Sequence, residues 1–396
     1  MTALAQILFW LSILALLHSY AIYPWFMRVL ARGKKSHTPV FGRSDEDLPR
    51  ISVLMSVYNE EQVLEAKLAC LLQLDFPPEK LFFYFGSDGS SDGSNAILAA
   101  SGLNNLRFFP FAERRGKPPV INDLAAEALR EGGLQNHVFL LTDANVLLHK
   151  DVPFHLVKHF RDERVGAVDA HMRSTGLREE GISRSEDRYL SGEVMLKHHE
   201  SLAWGTMMGP FGGCYTLRAD LFEPVPPHSL VDDFWLVFRV LEKGFRAIND
   251  LDAVCYEGAT HRVNDEFRRK KRIAAGSFQN LSRFRRWVLP PFTKLGFAFF
   301  SHKVLRWFGG FLLLIAWLCS GFLAFSNQLY LLLFCGMSLV LLGIPLLDAL
   351  TQKMGKPNTM LRNIAYFVAM NAALMAGFFK WQSGIKENTW QRTTRY

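Results

Sequence analysis

The stretch Ile51-Ser52-Val53-Leu54-Met55-Ser56-Val57-Tyr58-Asn59-Glu60 decides how the fold is read. Its first seven residues are apolar or small and favour a strand; its last three are polar. From Glu61 to Leu74 the spacing turns helical, with Val63, Leu64, Leu68, Leu71 and Leu72 on one side. Pro77-Pro78 ends that run, because proline lacks the amide a helix needs. The pattern then recurs. A second strand is predicted over Leu81 to Phe85, running into Gly86-Ser87-Asp88, and a helix over Ser91 to Ala100. A third strand follows over Leu106 to Phe109, a helix over Val120 to Arg130, and a fourth strand over His137 to Leu141, before Thr142-Asp143. Strands alternating with helices imply an α/β domain with a parallel sheet covered on both faces. Near-continuous apolar strands fit that burial.

In such sheets a ligand lies beyond the carboxyl ends of the strands. Three strands in succession end in polar groups: Asn59 and Glu60, then Asp88, then Asp143 and Asn145. Each alone is an ordinary turn or helix cap. Together they converge on one edge. No G-x-G-x-x-G follows the first strand and no P-loop occurs, so the dinucleotide and P-loop readings lose their main support, and a nucleotide held by scattered carboxylates and a metal stays open.

Outside about residues 48–286 the composition changes. Over all 396 residues, 49% are hydrophobic and 21% charged, values that fit a globular chain and exclude a disordered or collagen-like one. The average conceals an uneven distribution. Met1 to Met27 has no Asp, Glu, Lys or Arg; neither has Trp307 to Leu347, nor Asn363 to Phe379. About 20 helical residues cross a bilayer, so one N-terminal span and about three C-terminal spans are expected. The N-terminal run lacks a basic residue before it and a clear cleavage site after it, which separates it from a signal peptide. Arg28, Arg32, Lys34 and Lys35 follow it and place the middle of the chain in the cytoplasm. The basic tail, Lys386, Arg392 and Arg395, argues against three full C-terminal crossings, so one of those segments is open to a re-entrant reading. The expected layout is a transmembrane helix over 1–30, a cytoplasmic domain over 48–286, an interfacial segment over 287–302, about three transmembrane helices over 303–381, and a tail over 382–396. Five scattered cysteines without metal-ligand spacing read as reduced thiols.

Several groups carry chemistry. Asp143-Ala144-Asn145 puts two oxygen donors two residues apart; in an extended segment both face one side and suit a hard divalent cation bound to phosphate. Lys117 offers a positive charge. Asp88 suits a uracil or ribose hydrogen bond. Phe211-Gly212-Gly213 allows a close approach to the backbone. Asp232-Asp233 opens an amphipathic helix; as caps they complement its dipole, and as neighbours they raise each other's pKa, which suits a general base. Arg262 to Arg286 holds nine Lys or Arg and two acids, close to the whole net charge of +8. Its place before the apolar spans points to lipid headgroups or a diphosphate rather than nucleic acid. Most of its side chains are expected to face lipid or water, with one or two turned inward.

These motifs, in this order, resemble the membrane-bound family 2 glycosyltransferases with a GT-A domain. The resemblance rests on residues 56–60, Ser-Asp-Gly-Ser-Ser-Asp-Gly-Ser at 87–94, Arg-Gly-Lys at 115–117, Thr-Asp-Ala-Asn at 142–145, Gly-Gly at 212–213, Val-Asp-Asp at 231–233 and Arg-x-x-Arg at 269–272. The segment 387–393 is similar to the ending of bacterial exopolysaccharide members. The resemblance implies a doubly wound, mostly parallel mixed sheet flanked by transmembrane helices. It also implies inverting transfer from a nucleotide sugar, usually UDP-linked, with Mg2+ or Mn2+, in the cell (inner) membrane. Tyr58, Glu60 and Asp88 would hold the nucleoside, and Lys117 the diphosphate. Asp143 and Asn145 would hold the metal. Asp233 would be the base, supported by Asp232. Phe211, Gly212 and Gly213 would line the acceptor site. Arg269 and Arg272 fall where processive synthases carry a nucleotide-sugar-binding Q/R-x-x-R-W. Two residues depart from the family pattern: Asn145 replaces a second Asp, and Ile273 replaces the Trp of processive members. A single transfer to a lipid-linked or surface-glycan acceptor is therefore the preferred expectation. The alternatives are a processive synthase and a non-catalytic assembly or transport subunit.

Overall fold

A computed structural model describes residues 1–35, 39–177, 182–259, 263–289, 292–356 and 358–385. The tail motif at 387–393 and the charges Arg262, Lys386, Arg392 and Arg395 lie outside these. Among the described residues, eight strands form one sheet: β1 Arg50–Val57, β2 Leu81–Asp88, β3 Leu106–Phe111, β4 His137–Thr142, β5 Val146–Leu148, β6 Val165–Thr175, β7 Cys214–Arg218 and β8 Arg246–Gly258. Their order is β3-β2-β1-β4-β7-β6-β8-β5. The first four strands are parallel, as the alternation predicted. β7 then enters antiparallel between β4 and β6, β8 runs parallel to β6, and β5 closes the edge antiparallel to β8. The sheet is mixed and mostly parallel.

Alternate side chains of the central strands enter different cores. Val53, Met55, Phe83, Phe85 and Leu140 pack under Leu64, Leu68 and Leu71 of the Glu61–Leu72 helix. Leu54, Tyr84, Phe139 and Leu141 pack under Val120, Ile121 and Leu124 of the Lys117–Gly132 helix. Phe85 and Phe139 are fully buried, each contributing roughly 1.5–3 kcal/mol. This second core does not end at the sheet. It continues through Phe234 and Phe238 into Tyr23, Met27, Phe278, Phe299 and Trp307, which belong to the apolar helices and the segments before them.

Among the described residues, three helices are long and apolar enough to cross a membrane: Thr2–Ala31, Gln328–Lys353 and Thr359–Gln382. Lys294–Trp307 and Gly309–Leu323 meet at a bend of 62°, and count as a fourth span if taken together. The Val263–Arg283 helix lies along Thr359–Gln382 so closely that Gly377 leaves no room for a Cβ beside Ala274. Buried charges tie these parts to the Ser183–Trp204 helix, which packs on β8. Glu200 accepts from Tyr23 Oη at 2.8 Å and the Met208 amide at 3.0 Å, and its Oε1 lies 2.7 Å from His302 Nδ1. Glu193 meets His302, Lys303 and Arg306. Each of these groups is costly to bury alone, so the pairs fix how the helices sit.

The basic stretch faces inward more than expected. Arg269, Lys270 and Arg272 all line an internal cavity, whereas Arg268 is exposed beside Asp265. All five cysteines are free.

Candidate active site

The carboxyl ends of β1, β2 and β4 open onto a cavity of about 460 Å³. Every candidate site residue named from the sequence lines it: Tyr58, Glu60, Asp88, Lys117, Asp143, Asn145, Phe211, Gly212, Gly213, Asp232, Asp233, Arg269 and Arg272. The first loop is tied to the second. The Asn59 amide donates to Ser90 Oγ at 3.1 Å, the Glu60 amide to Ser94 Oγ at 2.8 Å, and Asn59 Oδ1 accepts from the Ser91 amide at 2.8 Å. The Arg114 guanidinium lies 3.6 Å over the Tyr58 ring.

Asp88, expected from the sequence to hydrogen-bond the nucleoside, also has a partner within the protein. Its two oxygens accept from the Arg115 and Gly116 amides, each at 2.7 Å. Gly116 has φ of +89°, a backbone suited to glycine, and the next residue starts a helix. Asp88 thereby clamps the turn that projects Lys117. Lys117 Nζ lies 2.8 Å from Asp143 Oδ1 and 3.7 Å from Asp232 Oδ2. Burial alone would lower its pKa, but Asp143 and Asp232 outweigh that and hold it above the ordinary value, so the charge persists.

Asp143-Ala144-Asn145 is not extended. The Val146 amide donates to the Asp143 carbonyl at 3.2 Å and closes a tight turn between β4 and β5. Both side chains still reach the cavity. Beneath the turn lies Lys67, fully buried, donating to Thr142 Oγ1 at 2.8 Å and the Val146 carbonyl at 2.5 Å. Beside it, Asn145 Nδ2 donates to Glu257 Oε1 at 3.0 Å. The sequence carried no signal for either residue. Lys67 sits among apolar helix positions, and Glu257 reaches the turn only because β8 pairs with β5, Val146 opposite Glu257.

Asp233 begins the Asp232–Glu242 helix. Its Oδ1 accepts its neighbour's Phe234 amide at 2.8 Å. Gly212, at φ of +80°, passes so close that a Cβ there would sit 2.5 Å from Asp233 Oδ2. Burial and then the adjacent Asp232 push the Asp233 carboxyl up to about 7, against the pull of Lys117. The Phe211 loop is held from behind by a buried pair: Asp169 accepts from the Phe211 amide at 3.3 Å and from Lys197 Nζ at 2.5 Å. Arg269 directs its guanidinium to Glu186 at 2.7 Å and Glu266 at 2.8 Å, so its charge is engaged within the protein while it lines the cavity. Arg272 donates to the Leu230 carbonyl at 3.3 Å. Burial, and next Arg269, lower its pKa to about 10.

Residues 52–223 match the family model described as Glycosyl transferase family 2. The chain carries a family 2 glycosyl transferase domain. The matched part of this glycosyltransferase domain ends before Asp232, Asp233, Glu257 and Arg272. A poly-beta-1,6-N-acetyl-D-glucosamine synthase of Staphylococcus epidermidis is 29% identical over 125 residues, which are 31% of this chain and 28% of the relative. The synthase of the same description from Staphylococcus aureus (strain COL) is 22% identical over 244 residues, 60% of this chain and 57% of the relative. The chain thus spans little more than half the length of these relatives at most. Among solved structures, a mannosyltransferase from Pyrobaculum calidifontis in complex with GDP-Man and Mn2+ superimposes with a TM-score of 0.72 at 23% identity. That likeness covers 98% of this chain and 99% of the other, and it establishes the GT-A-like fold.

A second cluster of possible ligands, His155, Asp250 and Asp252, lies elsewhere. Lys158 Nζ fills it, 2.8 Å from Asp250 and 3.1 Å from His155 Nδ1.

Proposed function

We propose that this chain is an inverting glycosyltransferase. It moves a sugar from a nucleotide sugar to a lipid-linked or surface-glycan acceptor, at the cytoplasmic face of the cell membrane. One observation carries the reading: a carboxyl group with its pKa near 7, Asp233, shares a cavity with the Lys117–Asp143 pair at the strand ends. A base poised there accepts a proton near neutral pH. The acceptor hydroxyl oxygen attacks the anomeric carbon while its proton passes to Asp233. The bond from that carbon to the diphosphate oxygen breaks, and the nucleoside diphosphate leaves with the electron pair. Attack opposite the leaving group inverts the centre.

Tyr58 and Glu60 hold the nucleoside, and Asp88 acts through the Lys117 turn. Lys117 and Arg272 supply positive charge to the diphosphate. The oxygens of Asp143 and Asn145 fit a hard divalent cation, Mg2+ or Mn2+, because Asp143 already draws an ammonium to 2.8 Å. When bound, such an ion neutralises charge on the departing diphosphate. The cavity continues past Phe211 to Tyr20, Trp307 and Leu374, on or beside the apolar helices, so the acceptor approaches from the membrane side. The cations Arg28, Arg32, Lys34 and Lys35 after the first helix support a cytoplasmic domain.

The test is a panel of UDP- and GDP-sugars offered to the purified chain with Mg2+ or Mn2+. Metal-dependent binding of one of them, with transfer to a membrane extract, is the expected result. Binding of none removes the reading. A processive synthase is the second reading, favoured by the synthase names of the relatives. Long-chain product in proteoliposomes would select it over single transfer.

A further inference from the structure

The Asp143-Ala144-Asn145 turn offers one carboxylate and one neutral amide to a divalent cation. Hard cations hold more tightly as the charge on their oxygen ligands rises. The fold brings a second carboxylate to this turn from the far end of the domain. β5 and β8 pair antiparallel with Val146 opposite Glu257, so Glu257 arrives beside Asn145, and both line the cavity. Asn145 Nδ2 lies 3.0 Å from Glu257 Oε1. A carboxylate only accepts, so the nitrogen of the amide must face it. The amide oxygen leaves the same planar carbon in another direction and is turned away from Glu257. Without that hydrogen bond, Asn145 is equally able to present its NH2 group, which repels a cation.

An independent observation marks the same place as a cation position. Asp232 is 7% exposed, and its Oδ2 has no hydrogen-bond partner among the described residues. It faces Lys117 Nζ at 3.7 Å, and that ammonium is 2.8 Å from Asp143 Oδ1. Carboxylate oxygens from two elements, the turn after β4 and the Asp232–Glu242 helix, thus face one positive charge.

We propose that Glu257 is a positioning residue that completes the cation site: it holds the Asn145 amide oxygen toward the ion and supplies the negative charge that a second Asp would bring. The inference rests on the metal-assisted transfer proposed above. It treats Asn145 and Glu257 as one unit, in which the charge sits on β8 and the ligand oxygen on the turn.

Mn2+ binding to the purified full chain in detergent, followed by the loss of the free-ion electron paramagnetic resonance signal, tests it without any turnover. Removing an outer partner of a metal ligand typically weakens binding about 10–100-fold. Glu257→Gln keeps an acceptor for Asn145 but removes the charge, so roughly a 10-fold loss is expected. Glu257→Ala removes both, so the loss should approach about 100-fold. Asn145→Asp provides the discriminating arm. In the wild-type background it sets two carboxylates side by side and should gain little. In the Glu257→Gln background it should restore Mn2+ affinity to the wild-type level. A purely structural Glu257 would show no such rescue. Unchanged Mn2+ affinity in Glu257→Ala, or a Glu257→Gln/Asn145→Asp double variant as weak as Glu257→Gln, overturns the proposal. Wild type that transfers sugar but binds no Mn2+ sinks this inference and leaves the transferase reading standing. Wild type that binds Mn2+ but no nucleotide sugar overturns both.

Discussion

The two ends of the cavity use charge in opposite ways. At the strand ends, Glu60, Asp88, Asp143, Asp232, Asp233 and Glu257 outnumber Arg114 and Lys117. Toward the apolar helices, Lys197, Arg269, Lys270, Lys303 and Arg306 stand with Glu193 as the one acid lining that half among the described residues. The acidic end is kept ready: the Asp233 carboxyl is pushed up to about 7, and Asp232 Oδ2 has no hydrogen-bond partner among the described residues. The basic end is tied shut. Lys197 pairs with Asp169, Arg269 with Glu186 and Glu266, and Lys303 and Arg306 with Glu193. Charge of one sign is left ready for chemistry, and charge of the other mainly joins helical segments to one another, with Lys197–Asp169 the pair that reaches the sheet.

The contrast can be attacked from either end. The largest effect is expected at the acidic one. Asp233→Asn should lower transfer by about 10³-fold or more while binding of the nucleotide sugar persists. Turnover at the wild-type rate would remove Asp233 as the base. At the basic end, Glu266→Gln should act on stability instead. Glu266 is fully buried against Arg269, and breaking such a pair costs about 3 kcal/mol or more. A lower thermal midpoint in detergent is the expected reading; an unchanged midpoint would mean the basic end is not cohesive.

A smaller effect is expected from Gly212→Ala. Its φ of +80° costs about 1–2 kcal/mol of stability for a non-glycine residue. Separately, the added Cβ would displace Asp233 Oδ2, and a rate loss of roughly 10-fold is expected with the fold intact by circular dichroism. The smallest change is a shift along the pH axis. Asp233 must be deprotonated to act, so the wild-type rate should climb through about pH 7. Asp232 raises the Asp233 pKa, so Asp232→Asn should move the rise to lower pH. Lys117 lowers it, so Lys117→Met should move the rise to higher pH. Stationary profiles in both variants would break the coupling between these three groups.

The acidic end was largely legible in the sequence, and the basic end was not. β1, β2 and β4 are short apolar runs whose polar termini follow directly, so Tyr58, Glu60, Asp88 and Asp143 were readable from local order. The helix start carrying Asp232 and Asp233 is likewise local. Glu257 is not, because only the pairing of β8 with β5 brings it to Asn145. The Asp143–Asn145 segment is a turn because β5 must reverse toward the sheet edge, and no composition rule at those residues states that. The basic stretch reads as a solvated face until its partners are known. Glu186 lies more than eighty residues away from Arg269 and turns it inward.

One feature of the fold bears on how the protein can be handled. The core under β1, β2 and β4 includes Tyr23 and Met27 of the first helix, together with Phe299 and Trp307. Tyr23 also closes the hydrogen-bond shell of the buried Glu200. A soluble fragment cut at residues 48 and 286 would expose part of its own interior and strand a carboxylate there. The core of the domain runs on into those helices, so a purification that preserves it has to carry them along.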